Sequence, residues 1–152
     1  MGVTGEALRV VLDTNVLVSA LLYRDGELAW LPQAWEARTV LPLASEAVVN
    51  ELRRVLLQLG QRKFGLDPAA IEQIIVRYLE FTEAVQIDAG ASAAMPKCRD
   101  PDDQKFVELA VLGRADILAT SDQQLLGLAR RTPFAILPPV KFRERVQSAV
   151  KR

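Results

Sequence analysis

Residues 10–12, Val-Val-Leu followed directly by the carboxylate of Asp13, constrain the fold more than any other segment. An uninterrupted apolar run of this kind is typical of a strand buried on both faces, as in a parallel sheet. The apolar pattern resumes with helical spacing from Val16 to Leu21. Asp13 therefore lies where a buried strand passes into a helix, at the edge where open α/β sheets bind ligands. Alternatively, Asp13 only caps that helix.

Short apolar runs alternate with amphipathic segments along the rest of the chain. We expect further strands at residues 39–43, 85–87, 116–120 and 134–137, and helices at 27–37, 45–59, 67–79, 100–112, 123–130 and after Pro139. A basic turn is expected at residues 60–65 and a loop of small residues at 88–97. Trp30 and Trp35 are expected in the core or at a subunit contact. This alternation predicts an α/β fold with a largely parallel sheet.

The length and composition exclude several classes of protein. A chain of 152 residues without repeats or linkers predicts one domain over residues 1–152. There is no histidine, which excludes a Ser-His-Asp triad and the usual zinc sites, and leaves the single cysteine, Cys98, without an activating base. The formal net charge is zero, so any basic site is local. Residues 1–8 lack the basic start of a signal peptide, so we expect a cytoplasmic protein without a membrane span.

Two further aspartates lie where a purely structural role explains them incompletely. Asp103 precedes Phe106, Val107 and Ala110 at helical spacing, which places its carboxylate on the apolar stripe of its helix. Asp122 follows the strand predicted at 116–120, just as Asp13 follows its own strand. Each also has a structural explanation, Asp103 in the helix dipole and Asp122 as an N-cap.

Glu51 is a fourth candidate. It lies at the edge of the apolar stripe of its helix, and its alternative role is a boundary residue paired with Arg53 or Arg54. If the four carboxylates converge, their mutual repulsion requires protons or a cation. A site made only of oxygen ligands favours a hard divalent ion, Mg²⁺ or Mn²⁺. Such an ion activates water and holds a phosphodiester for hydrolysis.

Four motifs together resemble the PIN-domain nuclease family, in particular its bacterial and archaeal branch of toxin components of type II toxin–antitoxin modules. They are Asp-Thr-Asn at 13–15, Ser45 with Glu51-Leu52, Arg-Asp-Pro-Asp-Asp-x-x-Phe at 99–106, and Thr-Ser-Asp-x-x-Leu-Leu at 120–126. The resemblance covers about residues 9–142, nearly the whole chain. It implies a three-layer α/β/α sandwich with a central, mostly parallel sheet and a metal-dependent ribonuclease site.

The resemblance also implies roles for individual residues. The acidic set of the family corresponds to Asp13, Glu51, Asp103 and Asp122, which are thereby both the catalytic and the metal-binding residues. Asp13 and Asp103 would hold Mg²⁺ or Mn²⁺ most directly, while Glu51 and Asp122 complete the shell or act through water. Asp102 is an alternative to its neighbour Asp103. The supporting polar residues are Asn15 and Thr120.

The resemblance further suggests partners. It implies an RNA substrate, a homodimer and a small antitoxin protein that inserts a segment into the active-site groove. Candidate RNA contacts are basic residues that would bind phosphates without reading sequence: Arg53, Arg62, Lys63, Lys97, Arg99 and Lys105.

Two other functions stay open. A non-catalytic RNA- or protein-binding module could keep the fold without the activity. A phosphatase with an aspartate nucleophile would need a second carboxylate two residues after Asp13, where this chain has Asn15. The leading hypothesis is a metal-dependent endoribonuclease that acts as a toxin.

Overall fold

The structure, a computed structural model, describes residues 6–88 and 90–150. The N-terminal segment in which we expect no signal peptide is residues 1–8, and its residues 1–5 lie outside the described residues. The described chain contains a five-stranded sheet in which every strand pairing is parallel. The strands are β1 Leu8–Leu12, β2 Val40–Ala44, β3 Glu83–Ala84, β4 Ile117–Ala119 and β5 Ala135–Leu137, in the order β3-β2-β1-β4-β5.

Helices connect the strands. They are α1 Thr14–Leu22, α2 Leu31–Glu36, α3 Glu46–Phe64, α4 Pro68–Leu79, α5 Gln104–Leu112, α6 Gln123–Leu126 and α7 Pro139–Val150. Short 3₁₀ turns lie at Ala91–Ala94, Pro101–Asp103 and Ala129–Arg131. Among the described residues, none of these helices combines the length and the apolar character needed to cross a membrane.

The two faces of the sheet bury separate hydrophobic clusters. Val10 and Leu12 face one cluster, which is completed by side chains of α1, α2, α3, α4 and α7. Val11 points the other way into a cluster built mainly by α5, α6 and the start of α3. Trp35 is buried in the first cluster and Trp30 packs against it. The expected three-layer α/β/α sandwich with a central parallel sheet is therefore confirmed.

The expected helix starts are also found. The Ser45 hydroxyl accepts a hydrogen bond from the Val48 amide, and the Asp67 carboxylate accepts one from the Ala70 amide. Asp100 caps the turn before α5 in the same way. These polar side chains satisfy amides that the first helical turn leaves without a partner.

The basic turn expected at residues 60–65 is wrong, because α3 continues through Gly60 and ends at Phe64. Gly60 is buried against α4, where an added Cβ would lie 3.0 Å from Cδ1 of Ile71. The residue is a glycine because two helices approach closely there, while the chain leaves the helix at Gly65, whose φ is 61°.

Other predicted boundaries are displaced. The helix expected at 27–37 begins only at Leu31, and the one expected at 123–130 is the single turn Gln123–Leu126 followed by a 3₁₀ turn. The third strand lies at Glu83–Ala84 and not at 85–87. None of these differences moves a strand out of the sheet.

Candidate active site

Asp13 lies at the carboxyl end of the central strand, and neighbouring strand β4 fixes its position. Its amide donates to the Ala119 carbonyl at 3.1 Å, and its carboxylate accepts a hydrogen bond from the Thr120 hydroxyl at 2.6 Å. Within the described chain its carboxylate makes no capping hydrogen bond of good geometry to α1, although the amides of Thr14 and Asn15 lie near enough to act on its pKa. Asp13 is only 8% exposed. The alternative role as a simple helix cap therefore does not describe this side chain.

The environment of Asp13 disfavours its charged form. Burial raises the pKa of the Asp13 carboxyl, and the charge of Asp122 raises it further, while the hydrogen bond from Thr120 acts in the opposite direction. The Asp122 carboxylate is therefore close enough to raise the pKa of the poorly solvated Asp13.

Asp103 shows the same effect more strongly. It ends the 3₁₀ turn before α5, and its Oδ2 is buried without a hydrogen-bond partner among the described residues. Burial, a hydrogen bond with the Asp122 carboxyl, and the charges of Asp122, Asp100 and Asp13 raise the pKa of Asp103 to about 7. Asp102, the alternative to Asp103, is exposed.

Asp122 combines a structural contact with a place in this cluster. Its Oδ1 accepts a hydrogen bond from the Gln124 amide at 2.8 Å and so caps α6. Its own amide donates to the Thr120 hydroxyl at 2.9 Å. Since that hydroxyl donates to Asp13, Thr120 connects the two aspartates at the carboxyl edge of β1 and β4. Asp122 thus caps α6 and also lies close to Asp13 and Asp103.

Glu51 is held by a lysine and a threonine. Its Oε1 lies 2.7 Å from Nζ of Lys105, and its Oε2 accepts a short hydrogen bond from the Thr14 hydroxyl. Burial alone would raise the pKa of Glu51, but the bonds from Lys105 and Thr14 hold it below its ordinary value. Arg54 is farther away, at 4.0 Å. The expected pairing of Glu51 with Arg53 or Arg54 is therefore wrong in its main partner, because Arg53 pairs with Glu72 and the close partner of Glu51 is Lys105.

The structure thus brings Asp13, Asp103 and Asp122 within electrostatic reach of one another, and Glu51 reaches their neighbourhood through Thr14. Within residues 6–88 and 90–150, however, no three side chains of the acidic, histidine or cysteine type form a ready-made metal-binding group. The donor set still fits a hard divalent cation, because it consists of oxygens and includes the unpartnered Oδ2 of Asp103. In such a site, one carboxyl is expected to take up a proton when no cation is bound, because the charged forms repel one another.

The other predicted residues have varied surroundings. Thr120 is fully buried, whereas Asn15 is exposed at the start of α1. Arg53 forms a salt bridge with Glu72 at 3.1 Å, and Lys105 binds Glu51. Of the candidate RNA contacts, Arg62 and Lys63 in the last turn of α3 are exposed, and so are Lys97 and Arg99.

Thr14 is a site residue that the sequence analysis missed. It is 4% exposed, and its hydroxyl reaches Glu51 on another helix. The available signal was its place directly after Asp13, where a polar side chain entering a buried helix needs a partner.

A depression of about 570 Å³ adjoins Lys105. It lies between the start of α3 and the end of β3, and its lining includes Asn50, Val85, Gln86 and Glu108. A second depression, of about 500 Å³, shares Lys105 and extends towards Lys97 and Asp102. The two depressions share Ala47, Lys105 and Glu108, and Lys105 connects them to the site through its ion pair with Glu51; Asp13, Glu51, Asp103 and Asp122 are not among the residues that line them.

Solved structures share this fold. The chain is similar to VapBC2 from Rickettsia felis, solved bound to a DNA fragment from its promoter, with a TM-score of 0.54 and 16% identity, over 86% of this chain and 97% of the other. It is also similar to PAE2754 from Pyrobaculum aerophilum, with a TM-score of 0.54 and 16% identity, over 94% and 93% of the two chains.

Sequence comparisons extend the likeness. An uncharacterised protein of Methanocaldococcus jannaschii is 27% identical over 121 residues, which are 80% of this chain and 75% of the relative. The PIN domain family model matches residues 9–124, a segment that includes Asp13, Glu51, Asp103 and Asp122. The chain therefore belongs to the PIN domain family, a family of nucleases that generally use divalent metal ions.

Proposed function

We propose that this protein is a Mg²⁺- or Mn²⁺-dependent endoribonuclease whose active site consists of Asp13, Glu51, Asp103 and Asp122. The observation that carries the proposal is the buried, unpartnered oxygen of Asp103 in a cluster with Asp122 and Asp13. Such a cluster is costly for the fold, because carboxylates in a poorly solvated place repel one another. A binding function for a divalent cation accounts for that cost.

The four carboxylates have different roles in this proposal. Asp13, fixed by Thr120, and Asp103 would hold the ion, and Asp122 would complete their shell. A bound divalent ion would lower the pKa of a water and neutralise charge on a phosphodiester. Glu51, kept ionised by Lys105 and Thr14, is suited to orient the attacking water and accept its proton. The water oxygen would bond to phosphorus as the bond to the sugar oxygen breaks, and the departing sugar oxygen would take up a proton from solvent water to leave as a hydroxyl.

The two depressions that share Lys105 are the proposed path of the RNA. Lys97 and Arg99 are exposed and close in sequence to the catalytic Asp103, so they are available to phosphates. Arg62 and Lys63 are exposed as well, although the helix dipole at the end of α3 also explains them. Arg53 is engaged by Glu72 and is a weaker candidate.

The proposal includes a role as the toxin of a toxin–antitoxin module in the cytoplasm. It is supported by the family, and by the likeness in fold to VapBC2 from Rickettsia felis. A cognate antitoxin protein and a homodimer belong to the same proposal. Co-expression with the product of the adjacent gene tests it, since an antitoxin would copurify and suppress RNA cleavage.

An RNA cleavage assay tests the activity itself. The wild type should cut RNA with Mg²⁺ or Mn²⁺ and stop when EDTA is added, while Asp13→Asn should lose the activity. The matched control is Asp25→Asn, an exposed aspartate outside the site, which should cut normally. If wild type binds RNA but none is cleaved with either metal, the protein is a non-catalytic binding module instead.

A further inference from the structure

Among the described residues, Lys105 and Glu51 form the salt bridge whose two side chains are most buried. The two side chains are 21% and 18% exposed and approach to 2.7 Å. By comparison, Lys141 and Glu144 on α7 are 68% and 54% exposed and 4.0 Å apart. An exposed pair of that kind contributes little, whereas a half-buried pair keeps a defined geometry.

The partners of Glu51 come from the segments that carry the two direct ligands. Thr14 follows Asp13 in the chain, and Lys105 lies two residues after Asp103. Each partner takes a different oxygen of Glu51, Lys105 the Oε1 and Thr14 the Oε2. The carboxylate of Glu51 is therefore fixed relative to both aspartates, although it stands on a third element, α3.

We propose that Lys105 is a positioning residue which, together with Thr14, holds Glu51 beside the metal-binding aspartates as a water-orienting base and not as a direct ligand of the ion. This inference rests on the proposed function and makes it more specific. The physical reason is that Lys105 and Thr14 each engage one oxygen of Glu51 and so fix its orientation, and that the carboxylate cannot turn to chelate an ion with both oxygens without losing one of these strong bonds. The Lys105 ammonium already supplies a positive charge next to the Glu51 carboxylate.

Metal affinity, measured without RNA, separates the two roles of Glu51. Mn²⁺ titration followed by electron paramagnetic resonance gives the dissociation constant for each variant. Lys105→Met and Glu51→Gln should stay within about threefold of wild type, whereas Asp103→Asn should weaken binding by about tenfold or more. The matched control is Lys141→Met, a lysine remote from the site.

The titration has outcomes that overturn the inference. If Glu51→Gln weakens Mn²⁺ binding as much as Asp103→Asn, then Glu51 is a direct ligand and the inference is wrong. If the wild type does not bind Mn²⁺ at all, the proposed function fails first. The two failures are therefore distinguishable.

Cleavage kinetics separate positioning from RNA binding by Lys105. A positioning lysine predicts that Lys105→Met lowers kcat by about 10- to 100-fold while KM and its salt dependence stay the same. Lys105→Arg should recover part of that loss, since it restores a cation for Glu51. A raised KM with unchanged kcat would instead identify an RNA contact and overturn the inference.

Magnetic resonance of the lysine ammonium keeps the inference testable if a variant fails to fold. In the wild type, the Lys105 ammonium should give a slowly exchanging signal that is absent from Lys105→Arg. That signal should persist when Mg²⁺ saturates the protein. Its loss on Mg²⁺ addition would mean that Glu51 leaves the lysine for the ion, contrary to the inference.

Discussion

Asp103 experiences several energetic penalties at one side chain. It is partly buried, one oxygen has no partner in the described chain, and Asp122 lies beside it. The pKa of about 7 in the folded protein stands well above the value of about 3.9 that an aspartate has in an unfolded chain. The folded state therefore retains a proton that the unfolded state releases.

The first prediction concerns pH and stability without metal. Between about pH 4 and pH 7 the folded state binds more protons than the unfolded state, so the free energy of unfolding should fall as the pH rises. Asp103→Asn should reduce this fall and be more stable than wild type at pH 8. Urea unfolding in EDTA across this range measures it, with Asp25→Asn as the control. A wild-type stability that rises steadily from pH 5 to pH 8 would contradict the assignment.

The second prediction concerns Thr120. Its hydroxyl donates to Asp13 and accepts from the Asp122 amide, so Thr120→Val leaves two polar groups unsatisfied. We expect a loss of about 1–3 kcal/mol in the free energy of unfolding, together with weaker Mn²⁺ binding. Thr82→Val removes a hydroxyl that bonds only to the Leu79 carbonyl and should cost less. Equal costs for the two variants would refute the special role of Thr120.

Individual residues were predictable where a local pattern carried the information. The inward position of Asp103 follows from its helical spacing with Phe106 and Val107, which are both buried. The pairing of Glu51 with Lys105 could not be predicted in this way, since the two residues stand on different helices. Lys105 was therefore interpreted as an RNA contact from its charge alone.

At the scale of elements, glycines mark the places where helices approach their neighbours. Gly60 and Gly113 are both buried, and neither ends its helix through a positive φ. Gly113 closes α5, and its carbonyl accepts hydrogen bonds from the Arg9 guanidinium at 2.8 and 3.1 Å. Helix ends and strand bounds depend on such close approaches between distant segments. A pattern within one segment therefore predicts the elements better than their limits.

The third prediction tests one of these approaches. A Cβ at position 113 would lie 2.6 Å from Cδ1 of Leu43 and 2.8 Å from the Leu109 carbonyl oxygen. Gly113→Ala should therefore cost about 1–3 kcal/mol of stability through overpacking. At Gly127 the nearest atom would be 3.3 Å away, so Gly127→Ala should change stability by less than about 1 kcal/mol. Thermal unfolding compares the two, and a tolerated Gly113→Ala would show that α5 can shift.

At the scale of the whole molecule, the parallel sheet assembles the site. Leu12 pairs with Ala119, so the residues that follow them, Asp13 and Thr120, meet at the same edge. Asp122 follows two residues later. The strand–helix alternation was enough to predict this meeting of Asp13 and Asp122. The position of Glu51 required knowledge of how α3 packs across α1 and α5.

The fourth prediction is that Mn²⁺ stabilises the whole protein. A ligand that binds only the folded state at 100 times its dissociation constant adds about 2.7 kcal/mol to the free energy of unfolding. Wild type should show this gain in urea at pH 7.5 and lose it in EDTA. Asp103→Asn should need a higher Mn²⁺ concentration for the same gain. An equal response of both proteins would mean that Mn²⁺ binds elsewhere.

The 3₁₀ turn Pro101–Asp103 continues directly into α5, which limits where residues can be inserted or deleted. One inserted residue between Asp103 and Phe106 would turn the two side chains about 100° relative to each other. Either the phenyl ring would leave the core or the acid would face solvent. We therefore expect insertions and deletions to be tolerated in the loop before Pro96. Between Asp103 and Phe106 they should destabilise the fold or disrupt the site.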